Sequence, residues 1–386
     1  MTAGLSLSSS VLHWHDGDSD QSARWCSEAG LPPPKRVVMV DDTLTADAAF
    51  RLACEGTALL WRGDFQNARQ LLNALSRRLD KTREGRKSKA ATEPLSAADV
   101  FHRHRLTLGQ RASILGKILI PLAGDYGIPL RRAPDWRLAC TEAWGPADGV
   151  TAVVSLRELL GINGAHEWRK KGLEIAVLGA RIHPWYGVFS PLRGEYLDLL
   201  AAAPLPDKTL AFDVGTGTGV IGALLAKRGI ARVLATDTDP RALGCAPENL
   251  ERLGYAKQVT VMEANLFPEG RAPLVVCNPP WVPAKPSSPV EQAVYDPDSR
   301  MLRGFLAGLK EHLSPGGEGW LILSDLAEHL GLRSRESLLG WIEGGGLKVL
   351  EKRDIRPRHD KVRDADDPLH QARSREITSL WRLVVA

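Results

Sequence analysis

The chain has 386 residues, of which 44% are hydrophobic and 25% charged, with a formal net charge of +4; this is too long for one typical domain and ordinary for a globular protein, so two domains are expected. No apolar run reaches the length of a bilayer-crossing helix, and Asp16, Asp18 and Asp20 near the N-terminus do not read as a secretory signal, so no membrane partner is expected. The five cysteines, Cys26, Cys54, Cys140, Cys245 and Cys277, are odd in number, scattered and without a Cys-x-x-Cys pair, which argues against a disulfide framework or a metal site and for a reducing cytoplasm.

In chain order, residues 1–44 are rich in Ser, Gly and Asp and end in Pro32, Pro33 and Pro34, which predicts a loosely structured, flexible leader. Leu52, Leu59, Leu60, Leu71, Leu72 and Leu75 recur at helical spacing, and a second helical run follows from Leu106 to Leu122. Residues 45–170 are therefore expected to form a mainly helical N-terminal domain that serves substrate recognition. Residues 62–117 hold 13 Lys/Arg against 5 Asp/Glu, with Phe65, Phe101, His102 and His104 interspersed. Such a segment reads either as a solvated helical face or as a footprint for a polyanion such as RNA or DNA.

A domain boundary is expected between 165 and 185, with an extended lead-in over Leu173–Ala180 and Trp185–Phe189, so that the second domain covers 171–386. From there strands and helices alternate: strand 208–214, helix 218–228, strand 231–236, helix 240–252, strands 258–262 and 272–277. Helix 299–312, strand 318–324, helix 332–343 and strands 347–354 and 377–384 follow. This alternation predicts an α/β fold, a mostly parallel, Rossmann-like sheet of seven strands with ligands at the strands' carboxyl ends.

Where the first of these strands turns into its helix stands Asp213-Val-Gly215-Thr216-Gly217-Thr218-Gly219, whose alternate glycines let the backbone pass close to a cofactor. Gly217, Gly219 and Gly222 also fit the dinucleotide fingerprint, with Asp237 as the ribose-binding acid, so an NAD-dependent oxidoreductase stands as an alternative. Two features favour S-adenosylmethionine instead. Asp213 precedes the glycines, where a carboxylate can meet a cationic amino group or its water, and the box described next has no part in hydride transfer. Asp237 is assigned to both hydroxyls of one ribose, Asp239 to a helix cap, and Asn265, after the third strand, to an adenine edge.

The box is Asn278-Pro279-Pro280-Trp281, at the end of the apolar strand Pro273–Cys277. An asparagine held before two prolines offers a fixed pair of acceptors, its side-chain oxygen and a backbone carbonyl, beside a flat aromatic face. Such a site suits a planar NH2. His183 could shuttle a proton and the Ser324-Asp325-Leu-Ala-Glu328 stretch could touch substrate, but a hydrogen-bonded structural histidine and, for Ser324 or Asp325, a helix cap are the commoner roles.

The phrase Gly187-Val-Phe189-Ser-Pro191, the glycine loop, the Asp237 strand, the box and Leu313-Ser-Pro-Gly-Gly resemble the class I S-adenosylmethionine-dependent methyltransferases. Within them they are similar to the branch that holds release-factor glutamine and adenine-N6 methyltransferases, over residues 183–330. The family usually has Asp where Asn265 stands, and its box commonly ends in Tyr or Phe where this chain has Trp281.

The resemblance implies an N-methyltransferase with the donor sulfonium facing the box. Asn278 Oδ1 and the Pro279 carbonyl would accept the two N–H groups, Pro280 would stiffen the box, Trp281 would stack on the substrate, and Tyr186 and Phe189 would close the other side. The implied acceptor is an adenine in nucleic acid or a glutamine in a translation-related protein. A module that binds S-adenosylmethionine without transferring methyl is the alternative from another class.

Overall fold

The computed structural model describes residues 10–87, 95–191, 194–286, 291, 293–358 and 364–386, without the side chains of 82–87. The first nine residues of the expected leader and residues 88–94 of the basic segment lie outside the described residues. The chain divides into two compact units, one of residues 1–95 and 103–167, the other of 96–102 and 168–386.

The first unit is built around a sheet, which corrects the expectation of a flexible leader and adds strands to the expected helices. Strands β1 (Val11–Asp16), β2 (Ser19–Cys26), β3 (Val37–Val40), β4 (Ala58–Trp61), β5 (Ile118–Leu122) and β6 (Ala152–Ser155) form one mixed sheet in the order β1-β2-β6-β5-β4-β3. The supposed leader thus carries three strands. Its Asp16-Gly17 turn, with Gly17 at φ 60°, closes an antiparallel hairpin in which Asp16 pairs with Ser19, so the Gly and Asp read as signs of disorder make a hairpin turn. Leu12 and Trp25 bury beneath it.

Residues 45–170 carry the expected helices, but also strands β4, β5 and β6, which helical spacing alone did not announce. Ala58, Leu59, Leu60 and Trp61 are all buried, as in a central strand covered on both faces, and such a run lacks the alternation that would tell strand from helix. Gly56, at φ 87°, ends helix α1 (Ala46–Cys54) just before it. The second helical run likewise splits into α3 (Ala97–Leu115) and β5. Helices α2 (Phe65–Lys87), α4 (Arg137–Trp144) and α5 (Leu156–Lys171) complete this part of the chain.

In the second unit a hairpin, β7 (Leu173–Ile175) with β8 (Ala180–Ile182), precedes the main sheet, and residues 186–188 turn where an extended segment was expected. After α6 (Glu195–Ala202) come β9 (Leu210–Val214), α7 (Val220–Lys227), β10 (Arg232–Asp237), α8 (Pro240–Arg252), β11 (Val259–Glu263) and β12 (Ala272–Cys277). The helix Arg300–His312, β13 (Leu313–Ser324), the helices Leu326–His329 and Arg335–Gly344, β14 (Leu347–Ile355) and β15 (Thr378–Val385) follow. The helix expected over 332–343 is therefore preceded by a separate short one. The seven strands lie in the order β11-β10-β9-β12-β13-β15-β14, all parallel except β15.

Two apolar layers flank this sheet. One holds Tyr196, Leu200, Ile221, Leu225 and Trp320, the other Phe212, Phe305, Leu306 and Trp381. Each such side chain contributes roughly 1.5–3 kcal/mol by leaving water. Between β13 and β15, Arg382 donates from Nε and Nη2 to the two oxygens of Glu318 at 2.8 and 2.6 Å, and Trp320 Nε1 shares the same carboxylate at 2.8 Å. This two-pronged pair fixes the register of Trp320 opposite Arg382, and with it the strand that ends beside the box.

Candidate active site

The strand order reverses between β9 and β12, and the loops that leave these strands carry the residues singled out above. Asp213 is fully buried near the end of β9. Its Oδ2 accepts from Thr216 Oγ1 at 2.7 Å and from the Gly222 amide at 3.0 Å, which folds the glycine loop back on the strand, while Oδ1 is buried without a partner among the described residues. Burial pushes this carboxyl up to about 6, against the pull of the Thr216 and Gly222 bonds.

Gly217 stands at φ 54°, and a Cβ built there would meet nothing within 4 Å, so the loop presents bare backbone to open space. A Cβ on Gly215 would lie 2.6 Å from Met301 Cε, the movable end of a flexible side chain, and it is the φ of 74° that favours glycine there. Asp237, half-buried at the end of β10, reaches across to this loop. Its Oδ2 accepts from the Gly217 amide at 2.9 Å, and its Oδ1 from the Thr238 and Asp239 amides at 2.8 and 3.0 Å. Burial raises its carboxyl above the ordinary range, while these backbone donors pull the other way. Asp239 caps α8 by accepting from the Arg241 amide at 2.9 Å.

The residues present fit S-adenosylmethionine: an open glycine face, a carboxylate at the second strand end with an acceptor site left on Oδ2, and a buried acid beneath the loop. Asn265 is exposed in the turn after β11, where Leu266 takes φ 70°.

At the end of β12, Pro279 is buried and Asn278, Pro280 and Trp281 are half-buried. Trp281 Nε1 donates to Asn278 Oδ1 at 2.9 Å, and the Tyr196 hydroxyl is hydrogen-bonded to the same asparagine side chain. The amide that is expected to receive the acceptor is thus already oriented by two neighbours. Trp281 packs into three apolar clusters, so its ring is wall as well as face. Tyr186 lies under the Arg241 guanidinium, 5.4 Å from its ring centre, at the start of α8, and Phe189 is half-buried.

Several groups escaped the sequence reading. Tyr196, fully buried, links α6 to the box, and nothing in its spacing separates it from core. Asn249, buried on α8, donates to the Thr218 carbonyl at 3.1 Å and accepts from the His183 amide at 2.7 Å; a polar residue on a buried helical face was the available signal. His183 Nδ1 sits 2.6 Å from the Arg169 carbonyl, a structural tie as expected. Ser324 accepts from the Leu326 amide at 3.0 Å, and Asp325 from the Ile377 amide at 2.7 Å. Arg333, after β13, donates from Nη1 to the Trp281 carbonyl at 3.3 Å. Among the described residues there is no cluster of metal-ligating groups and no helix long and apolar enough to cross a membrane.

A family model described as methyltransferase small domain matches residues 182–335. A release factor glutamine methyltransferase of Cereibacter sphaeroides is 38% identical over 131 residues, which are 33% of this chain and 43% of that protein. A ribosomal protein L11 methyltransferase of Pelotomaculum thermopropionicum is 49% identical over 69 residues, 17% of this chain and 22% of the relative. A tRNA1(Val) (adenine(37)-N6)-methyltransferase of a Shewanella species is 25% identical over 161 residues, 39% and 68%. This chain spans less than half the length of the first two. The glycine loop, the Asp237 carboxylate bonded to it and the oriented Asn278 all fall inside residues 182–335, the segment that is similar to the methyltransferase small domain.

Proposed function

We propose that the chain is an S-adenosylmethionine-dependent N-methyltransferase whose acceptor is a planar amino nitrogen, an adenine N6 in nucleic acid or a glutamine amide in a protein. The observation that carries this reading is the Asn278 amide, whose Oδ1 is fixed by Trp281 Nε1 at 2.9 Å while Tyr196 holds the same side chain. An oxygen so fixed has a second lone pair for an incoming N–H, and the neighbouring Pro279 carbonyl offers another acceptor. Two N–H bonds taken in the plane of the substrate turn the nitrogen lone pair out of that plane and stabilise the positive charge that grows on the nitrogen. Bound S-adenosylmethionine supplies the methyl group.

The residues that would hold the cofactor are Asp213, Gly215, Thr216, Gly217, Gly219 and Asp237, with Asn265 beside the adenine; Asn278 would border the methyl end while its hydrogen bonds go to the acceptor. Trp281 would wall the acceptor, and Tyr186 and Phe189 would lie on the side of α8. Relatives named for a release factor glutamine and for an adenine of tRNA support both acceptor classes. The basic character of residues 62–117 adds weight to nucleic acid. Incubating RNA, DNA and protein fractions with radiolabelled S-adenosylmethionine tests the proposal. One fraction should acquire label, and none should with Asn278→Ala; label that persists in that variant refutes the reading.

A further inference from the structure

Arg333 is 6% exposed, and its Nε and Nη2 are buried without a hydrogen-bond partner among the described residues. Among the described residues only Nη1 is engaged, by the Trp281 carbonyl at 3.3 Å. The nearest carboxylates are already committed. Glu328 accepts both of its close bonds from Arg335 Nε, at 2.8 and 2.9 Å, and Asp296 accepts from the Met301 and Leu302 amides at 2.9 and 3.3 Å. Burial lowers the Arg333 basicity, against the pull of Glu328 and Asp296.

A buried guanidinium with two idle N–H groups costs stability, and an apolar chain of similar volume would remove that cost. The surroundings invite one: Val282, Leu326 and Leu330 form a buried apolar cluster there, with Trp281, Tyr295 and Leu332 packed against it. Because both idle nitrogens are enclosed, they do not serve as a docking point for a solute. What Arg333 does is hold a backbone oxygen of the box. Trp281 in turn holds Asn278, and the next residue, Val282, accepts from the Asp296 amide at 2.9 Å.

Resting on the proposed acceptor role of Asn278, we infer that Arg333 is a positioning residue for methyl transfer: it fixes the Trp281 backbone, and through the indole the Asn278 amide, at a cost to the fold. A residue retained for stability and one retained for positioning then differ in sign. Arg333→Met should raise or leave unchanged the melting temperature of the full chain and leave S-adenosylmethionine affinity unchanged. Transfer of label to the accepting fraction should slow by about tenfold, the loss of one charge-assisted contact. Arg333→Lys, which keeps a donor, should recover part of the rate.

An independent readout needs no acceptor. In protein labelled with 15N-tryptophan, the indole resonance absent from Trp281→Phe should move or broaden in Arg333→Met. A lowered melting temperature, an unmoved indole resonance or an unchanged rate overturns the inference. Persistence of transfer in Asn278→Ala would instead remove the reading on which it rests.

Discussion

The carboxyl edge of the second unit's sheet is wired in two ways. After β9 and β10, side-chain carboxylates bond to backbone amides: Asp213 to Gly222, Asp237 to Gly217, Thr238 and Asp239. After β12 and β13, side chains hold one another or a carbonyl: Tyr196 and Trp281 hold Asn278, and Arg333 holds Trp281. The first arrangement tolerates little change, since every donor except the Thr216 hydroxyl is main chain, and suits a ligand of constant shape. The second can be retuned one residue at a time, as a variable acceptor requires.

The sharpest way to separate the two edges is Asn278→Ala. Turnover should fall by about 10³, the scale of losing a preorganised hydrogen-bonding group at the reacting centre, while cofactor affinity measured by calorimetry stays unchanged. A matching loss of affinity would mean that the edges are not separable.

The buried acid of the cofactor edge gives the next largest effect. Asp213 sits at about 6 in the fold against an ordinary 3.8. Between those values the folded chain binds more protons than the unfolded chain, so stability falls as pH rises from about 4 to about 6 and is flat beyond. The upper bound is about 3 kcal/mol. Asp213→Asn keeps an oxygen for Thr216 and Gly222 and should lack this slope when thermal unfolding is followed across the same window. A slope equal to that of the native chain would show the acid to be ionised beneath the loop.

Asp237→Ala should weaken S-adenosylmethionine by about tenfold or more, because the ribose contact and the Gly217 tie are lost together. Calorimetry on the variant measures it, and an unchanged affinity would move the cofactor away from β10.

The two edges were not equally legible in the sequence. Alternate glycines, a preceding acid and an acid one strand later have fixed spacings, so Asp213, Gly217 and Asp237 could be named together and their loops meet in the fold. Tyr196 and Arg333 could not, since α6 and the stretch after β13 reach the box only through tertiary packing. The same physics hid the sheet of the first unit. Leu59, Leu60 and Trp61 are buried on both faces, so their strand carries no alternation and fell into phase with the leucines of α1 and α2. The Gly17 turn was legible and was read as looseness.

The smallest expected effect tests how the acceptor edge is held. Trp281→Phe keeps an aromatic ring among the three apolar clusters but removes the indole N–H from Asn278 Oδ1. If the amide is oriented by that bond, transfer should slow by about threefold to tenfold with cofactor affinity unchanged, the worth of one neutral hydrogen bond. Phe is also a residue that the resembling family commonly carries in this place, so the opposite outcome is informative. A Phe variant as fast as the native chain would mean that Tyr196 alone holds Asn278. Tyr196→Phe in the Trp281→Phe background would then cost more than in the native chain, because the side chain that remained would be its last tether.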